Sequence, residues 1–305
     1  MTQLNGLLLV NKPSGITSHD VVARARRILS MKSIGHSGTL DPLASGLMVL
    51  LLGEATKLSQ YILEGDKSYR VGLRLGFRTD TLDSTGKVLE EKPVMSSHSE
   101  VLSQAKNLQG DFEWPVPVYS AVKVQGQKLY DYARGDLAVE VPQKLMKFWS
   151  LSEVIGKDSN PDLQFDITCS KGSYIRAWVD QLGQRLGCGA MMTSLVRTWS
   201  DPFFLDQALE LEVIESQWKS ARHVTSFIDI SKALPKVPKV RIKGLCEKLL
   251  TNGTISHDLR VQLIQSFNPS KDQIVQIFSQ ESGQILALIG LDPAKGFVIR
   301  RVLKL

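Results

Sequence analysis

The chain has little of what marks disulfide-stapled, metal-bound or membrane-spanning proteins. It carries three cysteines, Cys169, Cys188 and Cys246, none in a CxxC pair, and five scattered histidines. That spacing offers neither a disulfide framework nor a zinc ligand set. No hydrophobic run approaches the length of a span: the apolar stretch nearest the N-terminus covers only 7–10, and no basic segment precedes it. Neither a signal peptide nor a membrane helix is therefore expected, and internal repeats and low-complexity tracts are absent. What remains is 305 residues, 43% hydrophobic, enough for one large domain plus a small one around a sizeable core. A soluble protein of the reducing cytoplasm is expected, with a monomer as the default state.

Excess charge is missing from most of the chain and concentrated at its end. Residues 1–235 hold 26 Lys and Arg against 26 Asp and Glu, whereas 236–305 hold 11 against 5, so the whole net charge of +6 sits in the last segment. Such asymmetry points to a polyanion contact there.

Acid is scarce in a more telling place. Across 35–61, GHSGTLDPLASGLMVLLLGEATKLSQY, the single carboxylate between His36 and Gly53 is Asp41. Gly38 and Gly46 permit tight backbone angles, Pro42 fixes one φ, and 47–52 reads as a buried strand or the start of a helix behind the loop. Asp41 is thus expected on a rigid support.

Elsewhere the pattern alternates between sheet and helix. The run 7–10 reads as a buried strand. Thr17 and Asp20 form a capping-box pair before a helix with Val21, Val22, Ala25, Ile28 and Leu29 on one face and arginines facing water or phosphate. Lys12 lies between that strand and helix, where a loop lysine can meet an anion. Residues 69–77 alternate cleanly, placing Tyr69 on the core face of a half-buried strand. Asp80 and Asp83 belong to turn chemistry. A helix is expected over 96–111. Then 117–136 interleaves Tyr119, Tyr130 and Tyr132 with Lys123, Lys128 and Arg134, a pattern suited to folded RNA, unless Leu129, Tyr132 and Ala133 form a core stripe.

Strands are expected at 147–155 and 163–169, joined by the turn GKDSNPD, followed by a helix from about Tyr174 to Leu186 closed by Gly187. Arg176 falls in its first turn, where the helix dipole disfavours a cation and a carboxylate partner would supply the reason for it. An acidic amphipathic helix spans 207–220, a proline linker 234–238, and β-like runs 261–266, 273–279 and 284–291 read as a small barrel. The fold class expected is α+β, a mixed, largely antiparallel sheet flanked by helices, followed by this small β unit.

Five blocks carry a resemblance. GHSGTLDPLASG is similar to the box that bears the essential aspartate in the bacterial tRNA pseudouridine synthase B family. The likeness continues through VNKPSGITSHDVV at 10–22, KSYRVGLRLGFRTDTLDSTG at 67–86, PVYSAVKVQGQKLYDYARGD at 117–136 and CSKGSYIRAWVDQLGQRLGCGAMMTSLVR at 169–197. It covers essentially the whole chain. Ser37 stands where the family more often has threonine, and Val196 departs from its usual L-R-R.

The resemblance implies isomerisation of uridine 55 in the T loop of tRNA, with Asp41 catalytic and Arg176 against it. It further implies that Tyr69 stacks on the flipped uracil, that Tyr174 and Leu195 wall the pocket, that His36 fills the vacated space, and that Lys12 lies near the cleft. A catalytic domain over 1–235, an RNA-binding flap at about 115–142 and a PUA-like RNA-binding domain over 236–305 are implied too, with tRNA as partner and no metal or organic cofactor. Asp41 could attack the sugar carbon or remove the 2′ proton, and Tyr69 could also assist loss of the C5 proton. Two competing readings are a synthase for another RNA site and a non-catalytic tRNA-binding or folding protein. A glycoside hydrolase would need a second carboxylate, which the Asp41 box lacks.

Overall fold

The computed structural model describes residues 4–135, 137–155 and 161–305. Most of the expected GKDSNPD turn, 156–160, lies outside the described residues, as does Asp136.

Ten strands build the main sheet. From edge to edge its path is Phe227–Asp229, Gly6–Lys12, Ser45–Leu52, Ala190–Ser200, Lys67–Leu75, Asp162–Cys169, Gln143–Ile155 and Gly110–Pro115. Phe203–Phe204 joins Ala190–Ser200, and Ile34–Ser37 joins Ser45–Leu52. Every pairing is antiparallel except one: Ser45–Leu52 runs parallel to Ala190–Ser200, matching Ser45 with Val196 and Gly46 with Arg197. This is the mixed, largely antiparallel sheet expected.

The strand compositions follow from what covers each face. Residues 7–10 and 47–52, the bodies of two central strands, are apolar throughout because both faces are packed. Leu7, Leu9, Leu47, Val49 and Leu51 face one cluster, while Leu8, Val10, Met48, Leu50 and Leu52 face another with Val21, Val22, Ala25 and Leu29 of the Ser18–Leu29 helix. Lys67–Leu75 alternates because only one face is buried: Tyr69, Val71, Leu73 and Leu75 enter the largest cluster, and Arg70 and Arg74 pair across the sheet with Asp166 and Asp162.

Helix boundaries follow the local signals. Thr17 caps Ser18–Leu29 through the full capping box with Asp20. Arg24 and Arg26 of this helix turn to protein partners, Glu212 at 2.8 Å and the Ile34 carbonyl at 2.7 Å. The helix expected over 96–111 is shorter, His98–Lys106 under a Ser97 cap, because the chain from Gly110 pairs as a sheet edge. The helices expected from about 174 and over 207–220 form as Ile175–Arg185 and Leu211–Ala221.

The last seventy residues carry a second sheet, in the order Lys239–Ile242, Ile274–Ser279, Ile285–Asp292 and Gly296–Val302. Its ladder is open rather than a closed barrel. One face, with Ile274, Phe278, Ile285 and Leu288, packs on the cluster containing Leu7 and Leu47. Helices Leu245–Thr251 and His257–Ser266 cover the other through Leu250, Leu259 and Leu263. The run 261–266, expected as β, is therefore the second half of a helix. Its Ser256 cap and the Leu259–Leu263 spacing outweigh its β-like composition. Lys236 binds Asp201 at 2.6 Å and Gln276 donates to the Leu234 and Val237 carbonyls, so the proline linker is anchored at both ends.

Candidate active site

The Asp41 loop leaves Ile34–Ser37 and enters Ser45–Leu52, and the turn after the first strand holds it from beneath. Ser14 Oγ donates to the Leu43 carbonyl at 2.7 Å, Gly15 N to Pro42 O at 2.8 Å and Ser18 Oγ to Leu40 O at 3.0 Å, while Leu40 N donates back to Ser18 Oγ at 2.8 Å. Lys12 Nζ completes the support, 2.6 Å from Ala44 O. Four of the five carbonyls of 40–44, and the Leu40 N–H, are thereby tied to 12–18, which fixes where the Asp41 carboxylate can point.

Lys12 is turned inward, fully buried, with its ammonium on backbone carbonyls rather than open to phosphate. Burial brings its pKa down to about 8, with Asp41 opposing that shift and the Arg197 charge adding to it. Of the nearby anions, Asp41 is the one whose charge Lys12 feels most.

Opposite the loop, Tyr174 caps the Ile175–Arg185 helix and places Arg176 in its first turn. The Arg176 side chain is 6% exposed and its Nε lies 3.0 Å from Asp41 Oδ2. Its other nitrogens donate to Thr81 O at 3.0 Å and Tyr119 O at 2.9 Å. The carboxylate partner expected for this dipole-disfavoured arginine is thus present. One guanidinium joins the Asp41 loop, the Thr81 turn and the start of the 115–142 segment. Asp83 holds that turn, accepting from Thr81 Oγ1 at 2.8 Å and Thr85 N at 3.0 Å.

Tyr69 and Leu195 face the same cluster as Leu40 and Ala44, with Tyr174 packed against it. Burial pushes the Tyr69 phenol up to about 12, partly offset by the Arg197 guanidinium beside it. Burial also raises Tyr174, which lies close to Ser120 and Arg176. Both rings are therefore neutral near pH 7. His36, paired with Leu50, is half-buried, and its Nδ1 has no hydrogen-bond partner among the described residues. Burial, with the His19 and Arg197 charges, holds its pKa below the ordinary range, leaving a neutral ring able to stack. All seven expected residues thus lie in or against the strands and turns around the Asp41 loop.

Sequence reasoning missed Arg197. It is 1% exposed, stands between Gly46 and Tyr69 in the sheet, and donates to Leu47 O at 2.6 Å and Gly38 O at 3.3 Å. The signal available was an arginine interrupting an otherwise half-buried strand.

The described part of the 117–136 segment is only partly exposed. Leu129 is fully buried in the main cluster, as the core-stripe alternative required, while Tyr132 and Ala133 are half-buried. Lys128 and Arg134 lie over the Tyr130 ring, 5.2 Å and 5.4 Å from its centre, so these cations and this ring engage one another.

A single carboxylate, one buried arginine against it and neutral aromatic walls, set in a mixed sheet, suit chemistry at a sugar carbon beside a flat base. The fold also matches known structures. A Cbf5-Nop10-Gar1 complex aligns with TM-score 0.70 at 25% identity, covering 98% of this chain and 84% of that one. An archaeal box H/ACA sRNP Nop10-Cbf5 complex aligns at 0.67, covering 99% and 86%. Residues 26–175 match the TruB family pseudouridylate synthase (N terminal domain). The tRNA pseudouridine synthase B of Bdellovibrio bacteriovorus is 59% identical over 99% of this chain and 98% of its own. That of Bacillus subtilis is 37% identical over 96% and 94%. The chain belongs to the TruB family of pseudouridylate synthases.

Proposed function

We propose that the chain isomerises uridine 55 in the T loop of tRNA to pseudouridine. The observation that carries this reading is the Asp41 carboxylate 3.0 Å from the buried Arg176 Nε, among Tyr69, Tyr174 and Leu195. Family membership and relatives named tRNA pseudouridine synthase B support the substrate.

The reaction breaks the N1–C1′ bond and remakes the link through C5. In one route Asp41 attacks C1′, forming an ester as uracil leaves with the bonding electrons. In the other it takes the 2′ proton and uracil leaves a glycal. Either route starts from the carboxylate form of Asp41, which Arg176 holds in one direction through a charge-assisted hydrogen bond. The uridine must first leave the loop's stack, at about a few kcal/mol. His36 fills the vacated space, Tyr69 stacks on the extruded uracil, and Tyr174 and Leu195 hold it against loss while it turns. C5 of the turned uracil then bonds to C1′, expelling the Asp41 carboxylate from the ester or, on the glycal, as Asp41 returns the proton to C2′. Last, the C5 proton passes to solvent and N1 takes one up.

Residues 1–235 act as the catalytic domain, with 115–142 closing on the T arm. Residues 236–305, which carry the whole charge surplus, act as a PUA-like RNA-binding domain. The protein works as a cytoplasmic monomer without metal or organic cofactor. Among the described residues no helix is long and apolar enough to cross a membrane. Tritium release from a 5-tritiated T-arm stem-loop tests the reading. Release at the position-55 uridine is expected; binding without release would refute it, and release only from another uridine would move the target.

A further inference from the structure

Arg197 is among the largest fully buried side chains in the protein, and no carboxylate among the described residues forms an ion pair with it. An unpaired buried guanidinium costs several kcal/mol of desolvation, which an apolar residue in the same strand would avoid. Its neighbours make the cost heavier. Lys12 and Lys67, both buried, lie close enough that the Arg197 charge lowers the pKa of each. Three buried cations, one acting against the other two, are a poor way to stabilise a sheet.

What the guanidinium touches supplies a reason. Its Nε donates to Leu47 O, just after the Asp41 loop, and Nη2 to Gly38 O, just before it. In the sheet Arg197 faces Gly46 on one side and Tyr69 on the other, with its guanidinium beside the Tyr69 hydroxyl. Gly46 leaves the room for this: a Cβ there would lie 2.5 Å from Arg197 O. Arg176 grips the carboxylate from above, and Arg197 grips both ends of the loop that carries it. A planar fork can serve several acceptors in fixed directions; a lysine ammonium cannot reproduce that geometry.

We propose that Arg197 is a positioning residue of this site, clamping both ends of the Asp41 loop and the Tyr69 hydroxyl to one guanidinium so that carboxylate and stacking ring keep a fixed separation. The proposal rests on the pseudouridylation reading above. It makes turnover, rather than RNA capture, the property that depends on Arg197, because the residue is too deeply buried to touch RNA.

The test compares wild type, Arg197→Lys and Arg197→Met in single-turnover tritium release, stem-loop binding and thermal unfolding. A misplacement of about 1 Å at a reacting group costs about a hundredfold in rate, the loss expected for Arg197→Met with binding within about threefold of wild type. Arg197→Lys keeps the charge but not the fork, and about a tenfold loss at an unchanged unfolding midpoint is expected. In a Tyr69→Phe background the Arg197→Lys loss should shrink, since part of the clamp is already gone. If Arg197→Met fails to fold, Arg197→Lys decides. Wild-type turnover in a folded Arg197→Lys variant, or loss of binding in step with loss of rate, overturns the proposal while the proposed function stands. Absence of release by wild type overturns both.

Discussion

Replacing Gly46 by alanine tests how the Asp41 loop is seated. Gly46 has φ +99°, and an added Cβ would lie 2.5 Å from Arg197 O and 2.7 Å from Arg197 N. These are backbone atoms of the paired strand, so no side chain can swing aside. The strained φ costs about 1–3 kcal/mol in a residue with a Cβ. Forcing apart two packed strands costs about 1–3 kcal/mol more. The sum, about 2–6 kcal/mol, is large against a typical domain stability of about 5–15 kcal/mol. Gly15→Ala is the control: its φ is +91°, but its Cβ would meet nothing within 4 Å, so it carries the strain without the clash. Guanidinium unfolding of both variants beside wild type should show Gly46→Ala the less stable by about 1–3 kcal/mol, the packing part alone. It should also show a larger loss of turnover, because the clash falls where Gly46 pairs with Arg197. Equal midpoints for the two variants would refute the view that strand contact, rather than backbone angle, reserves this position for glycine.

Arg176→Lys keeps the charge beside Asp41, but one ammonium cannot also reach the Thr81 and Tyr119 carbonyls. Unfolding free energy should fall by about 1–3 kcal/mol and turnover by more than tenfold, roughly, with stem-loop binding retained; unchanged turnover would remove Arg176 from the chemistry. Tyr69→Phe keeps the stacking ring and removes the hydroxyl beside Arg197. Binding within about twofold of wild type and turnover down about tenfold are expected, whereas full turnover would make the ring alone sufficient. Lys67, held on the Leu63 and Gly65 carbonyls, has its pKa lowered by burial from 10.5 to about 8, so between those values the unfolded chain binds more protons than the folded one. Stability linked to Lys67 therefore rises with pH from about 8 to 10.5, and the wild type should gain on Lys67→Met across that window in urea unfolding. A constant or shrinking gap would contradict the burial.

Local signals in the sequence are enough for the elements that depend on neighbours in the chain. The Thr17–Asp20 cap, the alternation after Tyr69 and the glycine-closed helix containing Arg176 each form where their residues indicate. That Arg176 calls for an anion is also legible from its place in a helix's first turn, while Asp41, the anion found at 3.0 Å, is what the family resemblance implies. What the sequence hides is set by contacts across long separations. Lys12 reads as a loop lysine free for an anion, yet its ammonium is consumed by a carbonyl 32 residues away. Arg197 shows locally only as an arginine interrupting a half-buried strand, and nothing nearby names its partners, which belong to strands that begin far earlier in the chain. The run 261–266 reads as β because valine, leucine and isoleucine at 261–264 suit either element until Leu259 and Leu263 are seen to face one sheet. The cations at 128 and 134 read as available for phosphate, but Tyr130 lies between them.

The most direct measurement is tritium release and binding of a T-arm stem-loop by wild type and Asp41→Asn, which keeps the size of the side chain and removes its charge. The carboxamide oxygen introduced by that substitution would still accept from Arg176, so folding and binding should persist while release falls to background. Release by Asp41→Asn at a rate near wild type would contradict the central role of this carboxylate and leave the geometry around it without its purpose.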